Sequence, residues 1–223
     1  MINKKINLIL DFDSTFIQLE TIEILAEFAL SNNKNKTIIL NKIKDITNLA
    51  MSGELSFNKA LSKRISMLNL DQKHIENTSD FINRKISKSF ISNIDFFKHN
   101  SNNIYIVSGG FKKIIYSTVK QFNIIESNIY ANEFLHENNK ITINSNNPLS
   151  MDNGKSMIIK NIDGFNIIVG DGYTDYEVKK NGFADIFIQY IENVNRKELN
   201  DKADFIAENF NEIINFIKNN VEK

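Results

Sequence analysis

The chain has 223 residues, of which 42% are hydrophobic and 24% charged, a composition typical of a soluble globular protein with one sizeable core or a core plus a small insert. Its 27 basic and 27 acidic residues cancel, so no overall charge favours nucleic acid or an anionic membrane as a partner. The absence of cysteine excludes disulfides and thiolate metal sites, and no apolar run reaches the length of a membrane span. The first residues lack the long apolar core of a secretory signal, so we expect a cytoplasmic protein.

The first half of the chain predicts one strand followed by a block of helices. Ile6–Leu10 is short and apolar apart from Asn7, which favours a buried central strand that ends at Asp11. Helical spacing then prevails from Thr21 to about Phe90. Within this block we expect Ser56 to cap one helix, and Asp71 to cap another that runs to the neighbourhood of Lys88. The block is predicted to be a helical insert placed directly after the first strand.

After the insert, apolar strand patterns alternate with helical ones. Strands are expected at 103–107, 129–131, 166–169, 184–188 and 204–206, and a small hairpin at 133–136 and 141–144 around Asn138-Asn139. Helices are expected at 91–99, 111–122, 153–161, 175–181 and 211–220. This alternation predicts an α/β fold, a Rossmann-like, mostly parallel sheet with helices on both faces. Residues 1–17 and 90–223 would form this core, and residues 18–89 a helical cap.

Three of the predicted strands end in polar sequence. The first ends in Asp11-Phe12-Asp13-Ser14-Thr15, the second in Ser108-Gly109-Gly110, and a later one in Gly170-Asp171-Gly172 with Asp175 close behind. Taken singly, each motif is also typical of an ordinary turn. In a parallel sheet, however, the carboxyl ends of strands meet at one edge. The sequence therefore predicts a site of carboxylate oxygens, which suit Mg²⁺, facing a glycine-rich loop that suits a phosphate.

The ordered set of these motifs, together with Lys155, resembles the haloacid dehalogenase superfamily of phosphatases, and within it the phosphoserine phosphatase family. The resemblance covers essentially the whole chain, including the position of the helical cap. The pattern Met51-Ser52-Gly53-x-x-x-Phe57-x-x-x-Leu61-x-x-Arg64 resembles that family's cap signature, and Glu20 falls where its members carry a substrate-binding acid. One departure is Thr174, which occupies a position where many relatives have Asn.

The resemblance implies a role for each of these residues. Asp11 would attack phosphorus to form an aspartyl-phosphate, and Asp13 would act as general acid and base. The implied Mg²⁺ would be bound by Asp11, by the backbone carbonyl of Asp13 and by Asp171, and Asp175 would be either a further ligand or a residue that anchors the ligands. The phosphoryl group would be held by Ser108, Gly109, Gly110, Lys155 and Thr174, and the rest of the substrate by Glu20, Met51, Phe57 and Arg64.

The implied reaction is Mg²⁺-dependent hydrolysis of O-phospho-L-serine or, as an alternative, of another small phosphomonoester such as a phosphorylated amino alcohol. We expect a small-molecule substrate, no nucleic-acid or membrane partner, and a monomer or homodimer. A non-catalytic protein that binds a phosphorylated ligand is the alternative of a different class. Without the resemblance, Glu20 would be interpreted as a helix-start acid, Arg64 and Lys155 as solvated side chains, and Met51 and Phe57 as ordinary core.

Overall fold

A six-stranded parallel sheet forms the centre of the protein, whose computed structural model describes residues 5–137 and 140–221. Its strands, in spatial order, are β3 (Ile129–Asn132), β2 (Ile104–Phe111), β1 (Ile6–Leu10), β6 (Phe165–Gly170), β7 (Ile186–Tyr190) and β8 (Phe205–Ala207). All five neighbouring pairs are parallel, which confirms the predicted α/β class. A separate antiparallel hairpin joins β4 (Phe134–Glu137) and β5 (Lys140–Ile143), and the turn predicted at Asn138-Asn139 lies outside the described residues.

Ten α-helices lie in the described ranges: α1 (Thr21–Ala29), α2 (Lys36–Met51), α3 (Phe57–Ser66), α4 (Gln72–Ile82), α5 (Lys88–Ser92), α6 (Ile94–Asn100), α7 (Lys112–Val119), α8 (Gly154–Ile159), α9 (Tyr173–Lys180) and α10 (Phe210–Asn220). The first six follow β1 with no described strand between them. Asp71 caps α4 as predicted, accepting a hydrogen bond from the backbone N–H of His74, whereas the hydroxyl of Ser56 makes no capping bond to α3. None of the helices in the described part of the chain combines the length and apolar character that crossing a bilayer requires.

Both faces of the sheet are buried, because side chains of the central strand alternate between two hydrophobic clusters. Leu8 and Leu10 belong to the larger cluster on one face, and Ile9 to the smaller cluster on the other. Asn7, the polar exception in β1, is fully buried and donates to the side-chain oxygen of Asn166 on β6 at 2.9 Å. This bond between neighbouring strands explains how a polar residue is accommodated in a central strand.

Two extended segments connect the block of helices to the sheet. Ile17 forms an antiparallel bridge with Ile86, and Ser87 donates its N–H to the carbonyl of Phe16 at 3.0 Å. Because the chain is extended at Ile86, α4 ends at Ile82 and the prediction that it continues to near Lys88 is wrong. The division into core residues 1–17 and 90–223 and cap residues 18–89 stays a prediction.

Candidate active site

The two carboxylates after β1 lie in different surroundings. Asp11 is almost fully buried and accepts a hydrogen bond from the backbone N–H of Phe12 at 2.7 Å. The chain then turns sharply, and Ser14 adopts a positive φ of 53°, which non-glycine residues take only where the surrounding structure holds them. Asp13 is turned toward the start of α1, where its carboxylate accepts from the backbone N–H and the hydroxyl of Thr21.

Three buried carboxylates form a second group in the site, apart from the carboxylate of Asp13. One carboxylate oxygen each from Asp11, Asp171 and Asp175 lie within 4.8 Å of one another. Asp171 follows directly on β6, and Asp175 lies in the first turn of α9, where it accepts from the N–H of Gly172 at 3.2 Å. Lys155, from the first turn of α8, places its Nζ 2.9 Å from Asp11 and 2.6 Å from Asp175. Lys155 is therefore an internal cation rather than a solvated lysine.

The pKa values reflect the crowding of these charges. Burial raises the pKa of Asp171 to about 7 although Arg196 opposes it, and burial raises the pKa of Asp175 to about 7 although Lys155 opposes it. Burial would lower the pKa of Lys155, but the charges of Asp11 and Asp175 outweigh it and raise that pKa above its usual value. Two acids with raised pKa values beside a third form a site where positive charge is stabilising.

The donor set fits Mg²⁺. Mg²⁺ prefers hard oxygen ligands and usually takes a few carboxylates together with water and substrate phosphate. Asp11, Asp171 and Asp175 supply oxygens of this kind at a spacing that one ion can span. The carboxylate of Asp13 is not part of this group, which agrees with its expected contribution through the backbone carbonyl.

The Ser108-Gly109-Gly110 segment is an irregularity in β2. Val107 pairs with Tyr130 and Phe111 with Asn132, so three residues of β2 face one residue of β3, and β2 continues beyond the predicted end at Val107. The Oγ of Ser108 accepts from the N–H of Gly110 at 3.0 Å. A side chain at Gly109 would overlap the ring of Phe57, so only glycine allows this close approach of α3 to the loop.

Most of the predicted site residues line one cavity between the sheet edge and the block of helices. They are Asp11, Asp13, Glu20, Met51, Phe57, Arg64, Ser108, Gly109, Gly110, Lys155 and Thr174. Asp171 and Asp175 do not line it, but Asp175 contacts the lining residue Lys155 at 2.6 Å. Residues far apart in the sequence therefore converge at the carboxyl ends of the strands, the location predicted from the sequence.

Arg64 and Glu20 are two further charged residues that line the cavity. Arg64 is 3% exposed, so the solvated alternative is wrong, and its guanidinium donates to the hydroxyl of Thr47 at 2.9 Å and the carbonyl of Ala60 at 3.2 Å. Glu20 immediately precedes α1, as expected of a helix-start acid, and also accepts from the hydroxyl of Ser14 at 2.7 Å. Burial raises the pKa of the Glu20 carboxyl.

Sequence reasoning missed Arg196. This residue lies in the loop after β7, with its Nε 2.8 Å from Asp171 and its Nη2 3.6 Å from Glu20. It therefore connects the acid group with the substrate side of the cavity. The only signal in the sequence was its position shortly after a predicted strand, at the edge where the other motifs meet.

Comparisons with known proteins agree with this geometry. No protein-family model matches the chain. Chloroplastic phosphoserine phosphatase of Arabidopsis thaliana is 29% identical over 212 residues, which cover 92% of this chain and 69% of that protein. The crystal structure of a phosphoserine phosphohydrolase-like protein from Francisella tularensis is 29% identical with a TM-score of 0.83, covering 95% of this chain and 99% of that one. A phospho-aspartyl intermediate analogue of phosphoserine phosphatase is 25% identical with a TM-score of 0.75, covering 96% and 98%.

The fold, the cavity and these relatives identify the protein as a phosphoric monoester hydrolase. The protein is thus an enzyme rather than a non-catalytic binding protein. Over most of its length the chain is similar to phosphoserine phosphatases, at 25–29% identity.

Proposed function

We propose that the protein is a Mg²⁺-dependent phosphatase that releases L-serine from O-phospho-L-serine. The observation that carries the proposal is the single cavity lined by the paired acids Asp11 and Asp13, the Ser108–Gly110 loop, and the opposite charges of Glu20 and Arg64. Such a cavity offers a partner for each ionised group of a phosphorylated amino acid.

Asp11 would be the nucleophile and Asp13 the general acid. An Asp11 carboxylate oxygen forms a bond to phosphorus as the bond from phosphorus to the serine oxygen breaks, and Asp13 gives its proton to that oxygen. Burial, together with the nearby charge of Glu20, raises the pKa of Asp13 well above its usual range, which favours the protonated form that a general acid needs. In the second step Asp13 takes a proton from the water that attacks the aspartyl-phosphate, which releases inorganic phosphate and restores Asp11.

The phosphoryl oxygens would be held by three parts of the chain. The hydroxyl of Ser108 and the backbone N–H of Gly109 offer donors from the loop, whose Gly110 N–H is bonded to the Oγ of Ser108. Lys155 and Thr174 offer donors from two other segments. Lys155 keeps its proton at neutral pH because its pKa is raised by two adjacent carboxylates, so it remains a cation throughout. These donors stabilise the charge that spreads over the equatorial oxygens in phosphoryl transfer.

Asp11, the backbone carbonyl of Asp13, Asp171 and Asp175 would hold the Mg²⁺ ion. When bound there, a divalent cation offsets the repulsion between a carboxylate nucleophile and a phosphate dianion. Support for this assignment comes from the buried oxygen donors and from the raised pKa values of Asp171 and Asp175.

Arg64 favours a substrate that carries a carboxylate. Its guanidinium is buried, yet no carboxylate among the described residues forms a salt bridge with it, and its bonds go to a neutral hydroxyl and a carbonyl. A buried cation without an anionic partner is unfavourable, so an anionic group of the substrate would stabilise it. Glu20 would receive the substrate ammonium, and Met51 and Phe57 would exclude water from the closed cavity. A phosphorylated amino alcohol would leave Arg64 without its partner.

One assay tests the proposal and its alternative. Phosphate release is measured from O-phospho-L-serine, phosphoethanolamine and p-nitrophenyl phosphate, with and without Mg²⁺. Arg64→Ala is expected to lower kcat/KM for phosphoserine by about a hundredfold, the loss of one charge-assisted bidentate contact, while p-nitrophenyl phosphate is affected much less. Arg84→Ala, which removes an exposed arginine from the end of α4, is the matched control and should change neither substrate.

Equal losses on phosphoserine and p-nitrophenyl phosphate in Arg64→Ala would contradict the role of Arg64. Faster turnover of phosphoethanolamine than of phosphoserine would favour the amino-alcohol alternative. A cytoplasmic location and a monomeric or homodimeric state stay predictions.

A further inference from the structure

We propose that Asn132, at the end of β3, is a positioning residue that fixes the phosphate-binding loop. The inference rests on the proposed role of Ser108–Gly110 as that loop. Asn132 is fully buried, and its side-chain amide donates to the carbonyl of Gly109 at 2.9 Å and to the carbonyl of Leu149 at 3.0 Å. Asn132 does not line the cavity, so it acts through the backbone it holds.

The irregular pairing of β2 explains why a side chain is needed here. Between the pairs Val107–Tyr130 and Phe111–Asn132, the strand β2 has two more residues than β3. A regular ladder cannot bond all the carbonyls of such a segment. The carbonyl of Gly109 lies within this segment and accepts a hydrogen bond from the side chain of Asn132.

Holding this carbonyl sets the orientation of the whole peptide group between Gly109 and Gly110. In a trans peptide the C=O and the following N–H are coplanar and point in opposite directions, and no cis peptide occurs in the described chain. With its carbonyl bound by Asn132, the peptide directs the Gly110 N–H to the Oγ of Ser108 at 3.0 Å. That bond occupies a lone pair of the hydroxyl and leaves its hydrogen free to be donated to a phosphoryl oxygen.

The second bond of Asn132 reaches the other half of the phosphate site. Leu149 lies in the short turn Pro148–Ser150, which precedes α8 and Lys155. A side chain at Gly154 would overlap the carbonyl of Pro148, so this turn packs directly against the residue before Lys155. One buried amide group therefore connects the Ser108 loop and the Lys155 segment, which are separated by about 40 residues of sequence.

Only the NH₂ group of the Asn132 side chain is used in these contacts. The described residues offer its Oδ1 no hydrogen-bond donor, although the atom is buried. The contribution of Asn132 is therefore the pair of N–H donors, and an alanine at this position removes both while leaving the loop sequence unchanged.

Asn128 provides a matched control at the opposite end of the same strands. It is also buried, and its side-chain amide donates to the carbonyl of Ile104, at the start of β2, at 3.1 Å. Asn128→Ala thus removes the same kind of contact, here from the residue before β3 to the start of β2 and far from the cavity. A purely structural role of Asn132 would make the two variants alike.

The experiment measures the inhibition constant of inorganic phosphate, kcat and KM for p-nitrophenyl phosphate, and the thermal midpoint. Asn132→Ala is expected to weaken inhibition by phosphate about tenfold or more, since two hydrogen bonds to buried carbonyls are lost. Asn128→Ala should lower the thermal midpoint but leave the inhibition constant unchanged. Asn132→Ser, which keeps one donor, should fall between wild type and alanine, and provides the measurement if the alanine variant fails to fold.

The outcomes separate this inference from the function on which it rests. If Ser108→Ala weakens inhibition by phosphate but the Asn132 variants do not, or if Asn128→Ala weakens it equally, the positioning role is wrong. If wild-type protein is not inhibited by phosphate, or if Ser108→Ala leaves the inhibition unchanged, the proposed phosphate site itself is wrong.

Discussion

Replacing Arg196 with methionine is expected to destabilise the metal-free protein. Methionine keeps a long unbranched side chain but removes the guanidinium that contacts Asp171 at 2.8 Å and Glu20 at 3.6 Å. The side chains of Arg196 and Glu20 are about one-tenth exposed, and that of Asp171 is 1% exposed. Two buried carboxyl groups would thus lose the positive charge between them.

The expected loss can be bounded from the geometry. Removing one member of a buried ion pair costs about 3–5 kcal/mol, because the remaining charge is left without compensation. The pKa of Asp171 is already about 7, so this carboxyl can take up a proton and avoid part of the loss. We therefore expect a decrease of about 3 kcal/mol in the free energy of unfolding, or a thermal midpoint lower by roughly 6–12 °C for a chain of this size.

Urea denaturation in EDTA measures this loss directly, and Lys36→Met is the control. Lys36 and Glu27 form a shorter contact of 2.7 Å, but their side chains are 35% and 50% exposed, so this variant should lose no more than about 1 kcal/mol. Repeating the measurement in saturating Mg²⁺ should reduce the loss in Arg196→Met, since positive charge is then supplied beside Asp171. Similar losses in the two variants would refute the reasoning that burial, rather than distance, makes the Arg196 contacts strong.

Three further predictions concern the acids. Asp11→Asn should abolish phosphate release while keeping the wild-type circular dichroism spectrum, since an amide is a poor nucleophile; turnover at the wild-type rate would overturn the assignment. Gly170→Ala should weaken Mg²⁺ binding, because the new methyl group would overlap the Asp175 carboxylate. The affinity is measured from the rise of the thermal midpoint with Mg²⁺ concentration. The same dependence on Mg²⁺ concentration as in the wild type would contradict this prediction. Because the pKa values of Asp171 and Asp175 rise from 3.8 to about 7 on folding, the folded metal-free protein holds protons that the unfolded chain has lost between about pH 4 and 7. The contribution of these two carboxyl groups to the stability of the protein therefore falls as the pH rises through this range. Urea denaturation in EDTA should give a higher free energy of unfolding at pH 5 than at pH 7.5. A higher value at pH 7.5 would contradict the prediction.

The sheet and the strand-end motifs could be predicted because their signals are local. An apolar run followed abruptly by Asp11, or by Gly170 and Asp171, marks both the end of a strand and the edge at which ligands bind. The cap of α4 was likewise predicted, since Asp71 bonds a backbone N–H only three residues away.

Features that depend on distant residues could not be predicted in this way. The end of α4 is set by pairing between Ile86 and Ile17, and β2 extends to Phe111 because Phe111 pairs with Asn132. Arg196 belongs to no motif, and its contact with Asp171 follows only from the placement of the loop after β7 in three dimensions. Each of these contacts joins residues at least twenty positions apart, where sequence pattern alone carries no information on proximity.

The bridge between Ile17 and Ile86 has a consequence for how such a protein can diversify. The chain leaves the sheet and returns to it at adjacent points, so the intervening helices form a single insertion in the α/β fold. Changes in the length of that insertion, or in the residues with which it lines the cavity, need not disturb the strand ends that carry Asp11, Ser108 and Asp171. Under the proposed function, the bond-breaking chemistry and the choice of substrate would thereby be encoded in separable stretches of one polypeptide.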